Sequence, residues 1–119
     1  MRPKDELGHY GEDLAAEHLA QAGFELLARN WRCRDGELDI VARDGNAIVF
    51  VEVKARSSAD FGMPAEAVGH VKARRIRGLA CRWLAENRPA GAPELRFDVV
   101  SVLRQPGRSP ELVHLRDAF

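Results

Sequence analysis

Two Asp-Gly turns set the strongest limit on how this chain folds. Arg34-Asp35-Gly36 and Asp44-Gly45-Asn46 separate three apolar runs: FELLARNWRC at 24–33, ELDIVAR at 37–43 and IVFVEVKAR at 48–56. An Asp-Gly step between alternating apolar segments closes a short hairpin, so the three runs are predicted to form an antiparallel meander. A helix precedes it. Leu7, Leu14, Ala15, Leu19 and Ala22 fall on one side at helical spacing, and Gly23 suits the stop. After the polar loop SSADFGM, Pro64 is placed to start a second helix that extends to about Asn87. The loop NRPAGAPE leads to a strand, LRFDVVSVL; the loop RQPGRSP precedes a last short strand, ELVHLR. A strand–helix–strand passage makes a right-handed crossover, so the fourth strand should lie parallel to a meander strand. The expected fold is α/β, a mixed sheet flanked by helices in the order αβββαββ.

A chain of 119 residues is the size of one domain and can bury a core without staples. No apolar run approaches the roughly 18 residues that span a bilayer, and MRPKDELGHYGED is too polar and acidic for a signal peptide. Cys33 and Cys81 alone make neither a disulfide framework nor a zinc ribbon, so the expected setting is the reducing cytoplasm, with no membrane partner. No Walker-type phosphate loop or dinucleotide fingerprint is present.

Eighteen basic residues balance eighteen acidic ones, but the charges are segregated. Residues 1–30 carry a net of −3, whereas residues 70–88 carry Lys72, Arg74, Arg75, Arg77, Arg82 and Arg88 against Glu86, a net of +5. Local charge makes a local field that a zero total hides. The basic helix is therefore a candidate nucleic-acid surface, against the plainer reading of a solvated face.

The candidate chemistry lies on the meander. In Phe50-Val51-Glu52-Val53-Lys54, alternation sends Val51 and Val53 to one face and Glu52 and Lys54 to the other. Glu37 and Asp39 share a face of the preceding strand, and the intervening turn brings Asp39 within a few residues of opposition to Glu52. Adjacent carboxylates repel unless positive charge sits between them. Lys54 offers one charge and a divalent cation two; hard oxygen ligands suit Mg²⁺ or Mn²⁺. Glu12 sits near Leu19 on the helical wheel, flanked by Ala15 and Ala16, where a carboxylate is costly unless paired, metal-bound or able to reach water. Lys72 stands at the centre of the stripe formed by Val68, Ile76, Leu79 and Trp83; it either snorkels out or presents its ammonium to a site beneath. Asp98 beside Arg96 reads as an ion pair, and Trp31 and Trp83 as packing residues. His9, His18, His70 and His114 show no metal-ligand spacing.

Asp39, Glu52-Val53-Lys54 and the helical Glu12 together resemble the PD-(D/E)xK nuclease superfamily. More closely, GHYGEDLA, RNWR, GELDIVARDG, VFVEVKAR, FGMPAEAV, Lys72, RFDVVSV and the terminal AF resemble the bacterial YraN-type family, in order along nearly the whole chain. Leu38 stands where the superfamily motif has proline. The resemblance implies a single restriction-endonuclease-like domain over residues 1–119. It implies Asp39 and Glu52 as ligands of Mg²⁺ or Mn²⁺, completed by the backbone carbonyl of Val53. Lys54 would orient the attacking water or stabilise charge on the phosphoryl oxygens. Glu12 matches a helical acid of the subgroup similar to archaeal Holliday-junction resolvases, and Lys72 a helical phosphate contact beside Arg74, Arg75 and Arg77. The implied activity is Mg²⁺-dependent hydrolysis of DNA phosphodiester bonds, selective for structure (branched or single-stranded DNA) and serving repair, recombination or uptake. A homodimer follows by analogy with junction-cutting relatives, and a protein partner is compatible with it. The alternative is a nucleic-acid-binding accessory protein on a nuclease fold that does not cut. A pure protein–protein module would leave the +5 helix and Lys72 unexplained.

Overall fold

The strands on either side of the two Asp-Gly turns pair as the turn chemistry requires, and they carry the rest of the chain. A computed structural model describes residues 3–57, 68–91 and 93–119. The elements are α1 (Pro3–Gln21), β1 (Glu25–Cys33), β2 (Gly36–Asp44), β3 (Ala47–Arg56), α2 (His70–Asn87), β4 (Glu94–Leu103) and β5 (Glu111–Leu115). The five strands lie in one sheet in chain order. β1 and β3 run antiparallel to β2, β4 is parallel to β3, and β5 is antiparallel to β4. The expected αβββαββ order holds, and the strand parallel to β4 is β3. Gly36 and Gly45 take φ of 149° and 59°, values that L side chains rarely adopt, which is why glycine ends each hairpin turn.

Two boundaries differ from expectation. The first helix begins at Pro3 rather than Leu7, since proline's fixed φ is compatible with a first helical turn. The second helix begins at His70. Pro64 lies outside the described residues, but Val68 and Gly69 are not helical, and Gly69 is the extended N-cap at φ −65°, ψ 164°. A continuous helix from Pro64 is therefore corrected to one starting after the glycine. None of the helices is long and apolar enough to cross a membrane among the described residues.

Both faces of the sheet are covered. On one, Ala15, Ala16 and Leu19 of α1 pack against Ile40, Val49, Val51, Val100 and Val102. On the other, Ile76, Leu79, Ala80 and Trp83 of α2 pack against Val41, Ile48, Phe50 and Phe97. A sheet buried on both faces needs near-continuous apolar strands rather than alternating ones, and β3 supplies AIVFV. The approach of α1 is close. A Cβ built on Gly11 would lie 2.7 Å from Cβ of Ala55, whereas one on Gly8 meets nothing within 4 Å. Gly11 thus lets the helix lie against β3 at the position next to Glu12.

The β4–β5 edge is fastened by a buried polar network. Asp98 is fully buried and accepts from Arg96 Nε at 2.9 Å and Nη2 at 3.0 Å, from His114 Nε2 at 2.8 Å and from the Asp117 N–H at 3.0 Å. Arg96 also reaches Asp44 at 2.9 Å, tying β4 to the β2–β3 turn. With His114 donating to Asp98, its Nδ1 accepts from His18 Nε2 at 3.1 Å, which links β5 to α1. Burial pushes the Asp98 carboxyl up, but the hydrogen bonds from His114, Arg96 and Asp117 outweigh it and hold the group at about 2.

Two outcomes follow from this packing. Gly11→Ala should destabilise the protein by about 1–3 kcal/mol through overpacking. Gly8→Ala should be neutral or stabilising by up to about 1 kcal/mol, since alanine is the better helix former; paired urea melts measure both. Asp98→Ala leaves Arg96 with Asp44 alone and takes the acceptor from His114 and the Asp117 N–H, and should cost about 3–5 kcal/mol. Because the folded pKa lies below the ordinary value, the stability from Asp98 is present above about pH 4 and lost as pH falls toward 2. Urea melts at stepped pH should show that acid limb in the wild type and not in Asp98→Ala.

Candidate active site

Asp39 occupies a break in the sheet. The β1–β2 register runs Arg29↔Ile40 and resumes at Trp31↔Leu38, passing over Asn30 and Asp39. The β2–β3 register ends at Ile40↔Val51, one pair short of Asp39 and Glu52. Asp39 is thus unpaired with either neighbouring strand. Its side chain takes the place of a ladder acceptor: the Val53 N–H donates to Asp39 Oδ2 at 2.8 Å. The break also shifts the facing of β2. Leu38 packs in the α2 cluster and Ile40 in the α1 cluster, although strict alternation would put them on one face. Opposite Asp39, Asn30 sits at φ 52°, a left-handed conformation that asparagine tolerates better than most residues.

The splayed strands open into a cavity of about 390 Å³, lined in part by His9, Glu12, Asn30, Arg32, Glu37 and Asp39. Val53 and Ala55 of β3 line it from the sheet. Glu12 is 7% exposed and is held by two donors: Arg29 Nε at 3.1 Å and Asn30 Nδ2 at 2.8 Å. Arg29 also grips the exposed Asp13 at 2.8 Å. The buried helical acid is therefore compensated by an ion pair. Glu37 is salt-bridged to Arg32 at 2.7 Å.

Glu52 lies close enough to Asp39 for its charge and a side-chain hydrogen bond to act on the Asp39 carboxyl. Burial is the largest cause of the rise in the Asp39 pKa, and the Glu52 charge adds to it. The Val53 N–H opposes the shift, and the net result is a pKa pushed up to about 7. Lys72 reaches across from α2, and its ammonium is paired with Glu52. Lys54 follows Glu52 on the same face of β3, half-buried, because the β3–β4 ladder is unbroken and alternation holds there. In a strand the N–H and C=O of one residue point to the same side, so the Val53 carbonyl opens toward the gap that holds Asp39.

The residues expected to act together are largely brought together. Asp39, Glu52, Val53 and Glu12 surround one break in the sheet. Lys72 reaches it too, through a carboxylate rather than as an open cation. Arg74 and Arg75 line a separate shallow groove with Asp35 and Arg82. Arg77 stacks its guanidinium 4.6 Å above the Phe97 ring. Among the described residues, no group of three or more His, Cys, Asp and Glu side chains is gathered to hold a metal; the donors here are two carboxylates and a backbone carbonyl. The sequence reading did not single out Arg29 and Asn30. Asn30 carried one cue, an asparagine in the middle of a strand, where its backbone preference is poor.

The chain belongs to the uncharacterised protein family UPF0102, whose model matches residues 11–102; this is the YraN-type family. That span includes Glu12, Asp39, Glu52, Val53, Lys54 and Lys72. The chain is 56% identical over 119 residues to the UPF0102 protein of Parafrankia sp. (strain EAN1pec), covering 100% of both. It is 56% identical over 116 residues to that of Beutenbergia cavernae, covering 98% of both chains. With the Nocardia farcinica protein it shares 54% over 116 residues, 98% of this chain and 91% of the relative.

The raised Asp39 pKa gives a pH dependence opposite to the usual carboxylate. The folded state holds this proton more tightly than the unfolded state, so its stabilising contribution is complete below about pH 4. It is lost as pH rises toward 7. In EDTA, chemical denaturation between pH 4.5 and 7.5, a window set by the linkage relation at about these values, should show wild-type stability falling relative to Asp39→Asn. A constant difference across that window would mean that burial and Glu52 do not hold the Asp39 carboxyl protonated.

Proposed function

We propose that this protein is a divalent-metal-dependent nuclease that hydrolyses DNA phosphodiester bonds, selecting DNA structure rather than sequence. The observation that carries this reading is the Asp39–Glu52 pair at the break in the sheet, with the Val53 carbonyl beside it and Lys54 next along β3. Two carboxylates forced together, one holding a proton to about pH 7, form a site that a divalent cation would relieve. The all-oxygen donor set suits Mg²⁺ or Mn²⁺, which retain several waters. The resemblance to PD-(D/E)xK nucleases supports the same assignment.

On this reading Asp39, Glu52 and the Val53 carbonyl hold the metal, which supplies Lewis-acid stabilisation of charge on the phosphate. The chain's own residues do the rest. Lys54 orients the attacking water and neutralises charge on the non-bridging oxygens in the transition state. Lys72 holds Glu52 in position through its ion pair, and with a cation held by Glu52 its ammonium would be available to a phosphate oxygen. Glu12, fixed by Arg29 and Asn30, accepts a hydrogen bond from water in the cavity. Water gives up a proton to solvent as it adds to phosphorus, the bond to the oxygen in line with it breaks, and that oxygen takes a proton from solvent to leave as a hydroxyl. The family assignment itself carries no activity. A homodimer would give each strand of a branched substrate its own site, in a cytoplasmic protein acting in repair, recombination or DNA uptake.

One observation favours a second reading, a nucleic-acid-binding accessory protein that does not cut. The Lys72 ammonium already neutralises Glu52, so the site can be charge-balanced without a metal.

Cleavage of labelled single strands, duplexes, flaps, forks and four-way junctions, each with Mg²⁺ and Mn²⁺, separates the two readings. The nuclease reading expects cutting by the wild type and a loss of at least about 100-fold in Lys54→Ala, the scale of one electrostatic catalytic contact. It also expects Asp39→Asn and Glu52→Gln to lose Mn²⁺ binding by calorimetry while remaining folded. Equal Mn²⁺ binding in wild type and both variants would overturn the site. Binding without cutting, in all metals, would favour the accessory reading.

A further inference from the structure

We propose that a second cleft, beside the carboxylate cavity, binds an unpaired nucleotide segment of the nucleic acid through Arg104, Arg108 and Tyr10. The proposal rests on the nucleic-acid reading above and names the part of the substrate that this surface takes. The cleft has a volume of about 820 Å³ and lies between the first turns of α1 and the β4–β5 loop. It shares Leu7 with the carboxylate cavity, so the two are neighbours across α1.

The two cavities differ in charge. The first is lined by three carboxylates, Glu12, Glu37 and Asp39, and by Arg32, which is paired with Glu37. The second is lined by two arginines and, among the described residues, by no carboxylate. The carboxylates Glu12 and Glu37 of the first are already compensated by Arg29 and Arg32, and it offers a polyanion no net attraction, whereas the second attracts one without help. A strand held in the second cleft is thereby delivered to the edge of the first.

The fold presents both arginines deliberately. The Arg104 N–H donates to the Arg56 carbonyl at 2.8 Å, extending the β3–β4 pairing one step past the strand end. Alternation from Val100 and Val102 puts the Arg104 side chain on the α1 face, where its guanidinium lies 4.3 Å over the Tyr10 ring. Arg108 closes a turn, its N–H donating to the Gln105 carbonyl at 3.2 Å, with Gly107 at φ 73°.

The Arg104–Tyr10 stack is what selects an unpaired segment. A guanidinium plane backed by an aromatic ring is a platform for a base face. In a duplex both faces of each base are covered by stacked neighbours, so only an unstacked base can lie on it. Arg108, exposed at the rim, is placed to contact the adjoining phosphate. None of Arg104, Arg108 and Tyr10 belongs to the proposed metal centre, so the cleft can be altered without touching it.

The test is fluorescence anisotropy of a short fluorescein-labelled oligothymidine and of a matched duplex, in EDTA and at several salt concentrations. The proteins are wild type, Arg104→Ala with Arg108→Ala, Tyr10→Leu, and Arg74→Glu with Arg75→Glu. Circular dichroism melts confirm folding, and Arg104→Lys, which keeps the charge but not the plane, serves where an alanine variant is unstable. The expected result is a loss of about 10-fold for the single strand in the cleft variants. A shallower salt slope, by about 0.7 per phosphate contact removed, should accompany it. The duplex should be affected less, and Arg104→Lys should recover the salt slope but not the full affinity. Oligothymidine binding unchanged in both cleft variants, with loss confined to the α2 variant, overturns the proposal and leaves the nucleic-acid reading standing. Equal losses for duplex and single strand overturn the selectivity for unpaired bases. A wild-type protein that binds neither probe overturns both this proposal and the reading it rests on.

Discussion

The arrangement around the site depends on the hydrogen bond from the Val53 N–H to the Asp39 carboxylate. A buried backbone N–H cannot be left without an acceptor. Where β2 and β3 separate, the ladder no longer provides one, and the Asp39 side chain does. That substitution carries three consequences. It fixes the carboxylate in the gap between the strands; it lets the Val53 carbonyl open to the same gap; and it allows the strands to part far enough to form a cavity while the Val53 N–H keeps an acceptor. Among the described residues, no buried side-chain nitrogen or oxygen lacks a partner.

The strain of that opening is distributed over residues that tolerate it. Asn30 adopts the left-handed conformation where β1 faces the break, and its amide then holds Glu12. Glu12 in turn sits where Gly11 brings α1 against Ala55. Helix, edge strand and central strands are thus set by one local irregularity and the groups that compensate it. The far side of the sheet is fastened by a buried polar network. Asp98, with Arg96 and His114, secures β4 against β5 and against the β2–β3 turn. β4 is the parallel neighbour along which β3 stays regular through Glu52, Lys54 and Arg56, so this network keeps Glu52 and Lys54 on one face.

Much of this was legible in the sequence, for identifiable reasons. The meander was readable because each Asp-Gly turn acts locally, and the parallel β4 because crossover handedness leaves few choices. The Arg96–Asp98 pair was readable because both residues share a strand face. Asp39 and Glu52 could be placed near each other from turn position alone. The parting of β2 from β3 at Asp39 could not, since a period of two assumes unbroken pairing and the break reverses it between Leu38 and Ile40. The helical wheel identified Glu12 and Lys72 as misplaced charges, but their partners Arg29, Asn30 and Glu52 come from other elements. The His114 contact to Asp98 spans 16 residues and the His18 contact to His114 spans 96, distances at which no local pattern applies. The start of α2 was missed because periodicity ran through Gly69, where an extended backbone ends it.

The formal charges of the chain sum to zero, but they are not compensated alike. Carboxylates are concentrated where the strands part, and each is matched: Glu12 with Arg29, Glu37 with Arg32, and Glu52 with Lys72. Asp39 is matched instead by a backbone N–H and a proton. It is the least compensated of the four acids, and the one whose charge a bound cation would restore. Cations on the rim are arranged differently. Arg104 and Arg77 lie over aromatic rings, which hold a guanidinium in place without neutralising it. A positive charge stacked on a ring stays available to a phosphate, whereas one paired with a carboxylate does not. Arg96 and Arg116 combine both arrangements, each lying over Phe24 and paired with Asp44, so a ring beneath a guanidinium does not by itself leave its charge uncompensated. Arg104 and Arg77 stack with no carboxylate partner among the described residues.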